Sequence, residues 1–336
     1  MNRSRISRLS GLGLMVVSAF AAGPGFKVQG KIKIGGLGGW DYVYVDSGAQ
    51  RLYASHTTQV EVIDLATMKP LGIIPDTNGV HGIAIASDLG RGFTSNGRDN
   101  SVLIFDVKTL KLISKTSVGT NPDSIIYEPE SKRVYTFNGN SHDTTALDAK
   151  TGQVVSTLAL GGKPEFSQTD RGKIWVNIED TSEIVEIDAA KASIVKRFSI
   201  APCEDPTGLA LDRGKHRLFA SCGNKLMAVV DPAAGKVVAT PAIGEGSDGV
   251  AFDNGLAFSS NGGDGTMTVV GEQSGKYVVL ETVPTQRTAR TIGVDPKTHK
   301  LFLPAADSGP APAPKDGKQG RAPILPNSFS VLVIGR

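Results

Sequence analysis

The feature that most constrains this chain is a repeat. Aligned on itself, the sequence shows seven copies of one pattern, starting at Trp40-Asp41-Tyr42, Val80-His81-Gly82, Pro122-Asp123-Ser124, Pro164-Glu165-Phe166, Pro206-Thr207-Gly208, Ser247-Asp248-Gly249 and Ala289-Arg290-Thr291. The second residues of these triplets stand 40, 42, 42, 42, 41 and 42 positions apart. Repeats of this length stack on their neighbours to bury a shared core, and their internal period separates helical units from strand units. Here the period is two, and not the roughly 3.6 residues of a helix. The expected fold is all-β: a seven-bladed β-propeller with four strands in each blade.

Each repeat reads as four strands. A short apolar inner strand such as Gly208-Leu209-Ala210-Leu211-Asp212 leads through a polar turn into the second strand. The third strand closes on an aspartate in Val62-Ile63-Asp64, Ile104-Phe105-Asp106, Ala146-Leu147-Asp148, Glu186-Ile187-Asp188 and Val229-Val230-Asp231, and an outer strand such as 153–158 follows. An aspartate before a tight turn has a local purpose, because its carboxylate accepts bonds from the turn amides. The last repeat stops after its third strand, 329–334, while 26–35 near the N-terminus is an orphan strand matching the outer-strand pattern. Pairing the two closes the ring and removes the exposed edges.

These residues carry a family resemblance. Arg133-Val134-Tyr135-Thr136-Phe137-Asn138, Gly92-Phe93-Thr94-Ser95-Asn96, Ile174-Trp175-Val176-Asn177 and the closing aspartates resemble the YVTN-repeat β-propeller family, which includes periplasmic YncE-like proteins. The resemblance spans roughly 26–336. It implies a scaffold that binds, organises partners or, in related propellers, catalyses. Gly271 replaces the closing aspartate in the sixth repeat, and Cys222 stands where other repeats have asparagine.

The N-terminus reads as an address. Arg3, Arg5 and Arg8 precede a short apolar stretch over 9–20, and Ala19-Phe20-Ala21 fits a small-x-small cleavage site. The expected signal peptide is 1–21 and the expected mature domain 22–336, in the periplasm or secreted. No later apolar run is long enough to cross a bilayer. Without those three arginines the formal charge is balanced, 33 of each sign, which lacks the electrostatic footprint of a nucleic-acid binder. In an oxidising compartment Cys203 and Cys222 are expected to form a disulfide. No Cys-x-x-Cys-His motif is present, so covalent haem is excluded.

Antiparallel inner and second strands bring the start of one and the end of the other to the same face, around the channel mouth. A ring of Asp41, His81, Asp123, Glu165, Thr207, Asp248 and Arg290 is therefore expected there. Asp41, His81, Asp123, Glu165, Asp248 and Arg290 are the candidate ligand-binding residues. The oxygens of Asp41, Asp123, Glu165 and Asp248 suit a divalent cation such as calcium, with His81 shifting preference toward a transition metal and Arg290 orienting an anionic ligand. A hydrated channel lined by strand ends is the alternative.

Second-strand ends add His56, Arg98-Asp99, His142-Asp143, Glu179-Asp180 and Asp264 to that face, mostly as solvated turns. The last repeat also carries an insertion, 307–328, with Pro310, Pro312, Pro314, Pro323 and Pro326 among glycines and Lys315, Lys318 and Arg321. That composition forbids regular structure, and a lid, a docking arm and plain disorder are the alternatives for it. Gly244-Glu245-Gly246-Ser247-Asp248-Gly249 spells a dinucleotide fingerprint but leads into a strand, so it reads as a turn. The Walker A, Gly-x-Ser-x-Gly and His-Glu-x-x-His motifs are absent.

Three functions follow, with no catalytic residue assigned. The first is an exported, non-enzymatic, monomeric binding or scaffold protein that takes an unknown small ligand or protein partner on the mouth face. The alternative is a metal-dependent hydrolase or lactonase using the acidic ring, after lactonase propellers that the chain resembles in general architecture. The third, implied by resemblance to YncE-like proteins, is weak single-stranded DNA binding through Trp40, Tyr42 and Trp175 with Lys31, Lys33, Lys163 and Arg290.

Overall fold

A computed structural model describes residues 23–312 and 322–336. The expected leader, 1–21, and the middle of the insertion lie outside the described residues. The period-two alternation becomes seven antiparallel four-stranded sheets. Six follow chain order from the channel to the rim, with inner strands Val43–Asp46, Val80–Ala86, Pro122–Glu128, Pro164–Asp170, Pro206–Asp212 and Ser247–Asp253. The seventh begins with Gly293–Asp295 and is completed from the other end of the chain. Strand Lys27–Lys33 runs antiparallel to Ser330–Gly335, pairing Lys27 with Gly335 and Lys33 with Ser330. The closure expected from the orphan strand is therefore present, and the two ends of the chain share the seventh sheet instead of leaving a seam.

The core lies between blades. Tyr53, Val60, Val62 and Ile74 of the first blade pack against Val80, Ile83, Leu103 and Phe105 of the second. Similar clusters join the neighbouring blades around the ring, including Phe26, Phe258 and Met267 against Leu301, Leu303 and Leu332 at the closure. Each sheet has two apolar faces, so a lone blade would leave both wet; stacking in a ring covers them. Among the described residues no helix is long and apolar enough to cross a membrane.

The closing aspartates act as local caps. Asp106 Oδ1 accepts from the amides of Lys108 (3.0 Å) and Thr109 (2.8 Å), and Asp148 Oδ1 from those of Lys150 (3.0 Å) and Thr151 (2.7 Å). Those backbone bonds hold both carboxyls below their usual range. In the sixth blade, where Gly271 stands instead, the third strand runs on through Thr266–Gln273 and the outer strand lengthens to Lys276–Pro284.

Cys203 and Cys222 are bonded, their Cα atoms 5.4 Å apart. The bridge ties the loop before the fifth inner strand to the end of its partner, and both residues are buried among Trp175, Leu209 and Leu218. Reduction, or a double Cys→Ser variant, is expected to cost about 3 kcal/mol, or roughly 5 °C in melting temperature for a chain this size. Calorimetry with and without reductant checks this; an unchanged transition would show that the bridge adds nothing to ring closure.

Candidate functional site

The seven positions predicted from the repeat do share one cavity. Asp41, His81, Asp123, Glu165, Thr207, Asp248 and Arg290 line a cup of about 730 Å³ at one end of the channel, together with Trp40, Tyr42, Lys163 and Glu179. Local backbone geometry puts them there. In five blades the pairing of the inner and second strands slips at the ring residue: between Val80 and Ile83, Pro122 and Ile125, Pro164 and Ser167, Pro206 and Leu209, and Ser247 and Gly249. A bulge inserts an unpaired residue and re-aims its side chain. In the first and seventh blades the inner strand starts later, so Asp41 and Arg290 precede it.

Neighbouring blades then clasp these residues by their carbonyls. Ser124 Oγ donates to Glu165 O at 2.7 Å, Asn177 Nδ2 to Thr207 O at 2.9 Å, Ser260 Oγ to Arg290 O at 2.6 Å and Thr291 Oγ1 to Asp41 O at 2.6 Å. Ser95 does the same for Asp123. Each ring position is thus held from the adjacent blade, so the mouth is preorganised by the stacking itself.

The charges are not equivalent. Glu165 Oε1 lies 2.7 Å from Lys163 Nζ, which also pairs with Glu179. Asp248 Oδ2 accepts from Arg290 Nε at 2.9 Å, and Arg290 also reaches Asp41 Oδ1 at 3.4 Å. His81 Nδ1 bonds Asp41 Oδ2 at 2.6 Å and stands 3.7 Å from Asp123 Oδ1. That Asp123 oxygen is buried and has no hydrogen-bond partner. Five carboxylates thus face three cations, and Asp123 is the one that has no hydrogen bond to any of them.

Titration follows from that imbalance. Burial, with Asp41 and Asp248 nearby, raises Asp123 to about 7 against the pull of His81 and Lys163. Burial and Asp123 also raise Glu165, and burial and Asp41 raise Asp248. For His81, burial opposes the charge, but the bond to Asp41 and the field of Asp123 outweigh it and bring the imidazole to about 9.

The cup has a floor. One residue deeper in the repeat, the seven blades present Tyr42, Gly82, Ser124, Phe166, Gly208, Gly249 and Thr291. The two large rings meet edge to face with centroids 5.0 Å apart, in the space that small residues leave on the other blades. Below them a second cavity of about 270 Å³ is lined by Tyr44, Ile83, Ile85, Tyr127, Gln168 and Arg213, among others. Tyr42 borders both cavities, so it forms the waist of the channel.

Of the expected mouth-face residues, Glu179 joins the cup through Lys163, and Asp180 accepts from the Lys163 amide at 2.8 Å. Asp99 and Asp264 bond local groups. His56 differs from a solvated turn: it is buried, bonded to Glu61 at 2.8 Å and packed on Phe329. The legs of the insertion meet where Leu325 N donates to Asp307 O at 2.9 Å, and Ser308, Ala322 and Ile324 line the cup. Five of the seven residues considered for a DNA platform are otherwise engaged. Trp40, Tyr42 and Trp175 are buried, and Lys163 and Arg290 are paired with carboxylates. Among the described residues the metal-ligating donors that converge are those of Asp41, His81 and Asp123, all within 4.8 Å of one another. Glu165 and Asp248 are instead held by their own cations.

No family model matches the chain, so the YVTN-repeat resemblance rests on the quoted motifs alone. No curated protein matches it in sequence either. Among solved structures it is similar to Kuenenia stuttgartiensis hydrazine synthase, with 15% identity, a TM-score of 0.69, and 79% of this chain and 92% of that one covered. It is also similar to U3-55K (11% identity, TM-score 0.75, covering 91% and 98%) and to the WD40 repeats of RRP9 (10%, 0.74, covering 93% and 100%). Identity this low shows the fold alone. The class that fold and topology define is the seven-bladed β-propeller.

Proposed function

We propose that this chain is an exported, monomeric binding protein that takes a cationic ligand in the acidic cup and carries out no chemistry on it. The observation that carries this reading is the buried oxygen of Asp123, which has no hydrogen-bond partner and only a 3.7 Å ion pair with His81, inside a cup holding more carboxylates than cations. A buried carboxylate without a partner is costly, and a bound cation removes that cost. Export is supported by the pattern over 1–21 and by the Cys203–Cys222 bridge, which suits an oxidising compartment. A closed ring needs no second copy to complete its core.

The convergence of Asp41, His81 and Asp123 favours one second reading, a metal-dependent hydrolase. One nitrogen and two carboxylate oxygens suit zinc or manganese better than calcium, which takes six to eight oxygens. These three residues would hold the ion, which would supply an activated water, and Glu165 would hold or move the proton.

Elemental analysis of the purified protein and melting curves with calcium, manganese or zinc, before and after chelation, test both readings. A cation-binding cup is expected to show a melting temperature raised by added cations, and Asp123→Asn is expected to abolish the rise. Turnover of a lactone that requires bound metal and is lost in Asp123→Asn would replace binding with hydrolysis. No response to any inorganic or organic cation would overturn the binding reading.

A further inference from the structure

We infer that the ligand of the acidic cup is an organic primary ammonium, its N–H groups donated to Asp123 and to the phenol oxygen of Tyr42, its carbon body lying on the aromatic floor. This inference rests on the reading that the cup binds a cation. It is carried by a second open group besides Asp123. Tyr42 is only 6% exposed, yet its hydroxyl makes no hydrogen bond with any described residue. The hydroxyl is therefore open to the cavity, where it can accept from a ligand. Tyr42 lines the cup together with Asp41, Asp123, Glu165 and Asp248.

The open groups match an ammonium better than they match a metal ion. An ammonium nitrogen carries three N–H donors and no acceptor, and both the Asp123 carboxylate, whose side chain keeps 15% exposure in the cup, and the phenol oxygen can accept. It would use what is free and leave every existing pair intact. A metal ion at Asp41, His81 and Asp123 would have to displace the 2.6 Å bond between His81 and Asp41. Size points the same way, since about 730 Å³ is the volume of a small-molecule site and far exceeds one bare ion. The walls suit an organic cation as well. Arg290 already lies over the Trp40 ring, 5.9 Å from its centroid, and the Tyr42 ring offers a second π face.

The test is calorimetric titration of the purified, metal-stripped protein with n-butylammonium, tetramethylammonium, n-butanol, calcium and zinc. Saturable 1:1 binding of n-butylammonium is expected. Tetramethylammonium, which keeps the charge but has no N–H, and butanol, which keeps the chain but has no charge, should bind at least about tenfold more weakly. Asp123→Asn is expected to weaken n-butylammonium by about tenfold or more, and Tyr42→Phe, which retains the ring, by several-fold, in proteins whose melting curves show them folded. Equal affinity for tetramethylammonium would overturn the N–H assignment. Saturation by calcium or zinc, lost in Asp123→Asn, with none by n-butylammonium would overturn the ammonium and leave the cation-binding reading standing. Saturation by none of the probes would remove both.

Discussion

Raising the pH from about 5.5 to about 9 is expected to lower the melting temperature of the metal-stripped protein by roughly 3–5 °C, and Asp123→Asn to remove part of that loss. The sign follows from the direction of each shift. His81, at about 9 in the folded cup against an ordinary 6.5, contributes stability that is full below about pH 6.5 and is lost as the pH rises toward 9. Asp123, at about 7 against 3.8, keeps its proton longer when folded than when unfolded, so stability falls as the pH rises through that interval. Glu165 and Asp248 are raised too and act in the same sense. The turn aspartates, such as Asp148, are lowered; their contribution is present above about pH 4 and is lost only in acid, outside this window.

Asparagine at 123 stays neutral and removes the field that raises both His81 and Glu165. A shift of one pKa unit corresponds to about 1.4 kcal/mol, but water in the cup screens part of it, so about 2–3 kcal/mol is the expected scale. A flat wild-type profile, or an unaltered slope in Asp123→Asn, would show that the ring charges are solvated rather than confined.

Gly208→Val is expected to destabilise the ring by about 3 kcal/mol, roughly 5 °C, through the packing of inner strands rather than through charge. A Cβ at Gly208 would lie 2.7 Å from Val250 N, and one at Gly249 would lie 2.9 Å from Thr291 Cα. Both contacts are with backbone of the next blade, which cannot move without opening the channel. The same layer holds the aromatic waist. Tyr42 and Phe166 fill the centre only because Gly82, Gly208 and Gly249 let the other inner strands draw together. Gly30→Ala is the control, since nothing lies within 4 Å of a Cβ there, and it is expected to stay within about 0.5 kcal/mol of wild type. Equal melting temperatures for Gly208→Val and Gly30→Ala would show that the inner strands do not touch at this layer.

Much of this was legible because a blade is a local unit. Its period of two, its closing aspartate and its recurrence near 42 residues each depend on neighbours in sequence, so the number of blades and the height of Asp41, His81, Asp123 and their counterparts could be read directly. The outer-strand character of 26–35 was legible for the same reason: seven repeats with one strand missing at one end and one spare at the other leave a single closure.

The waist had a signal that the ring argument passed over. Tyr42 and Phe166 stand at a position where the other blades carry glycine, serine or threonine. That contrast becomes a plug only when opposite blades face one another across the channel.

The scaffold, the closing strand and the set of residues brought to the mouth follow from short-range alternation and turn chemistry repeated seven times, and so were written in the chain. How the charges are shared depends on the packed ring: Lys163 goes to Glu165 and Glu179, Arg290 to Asp248 and Asp41, and His81 bonds Asp41 while standing 3.7 Å from Asp123, which is left without a hydrogen bond at Oδ1. Residues some 40–250 positions apart become neighbours when the ring closes, and at hydrogen-bond range an ångström of blade packing separates a paired carboxylate from an open one.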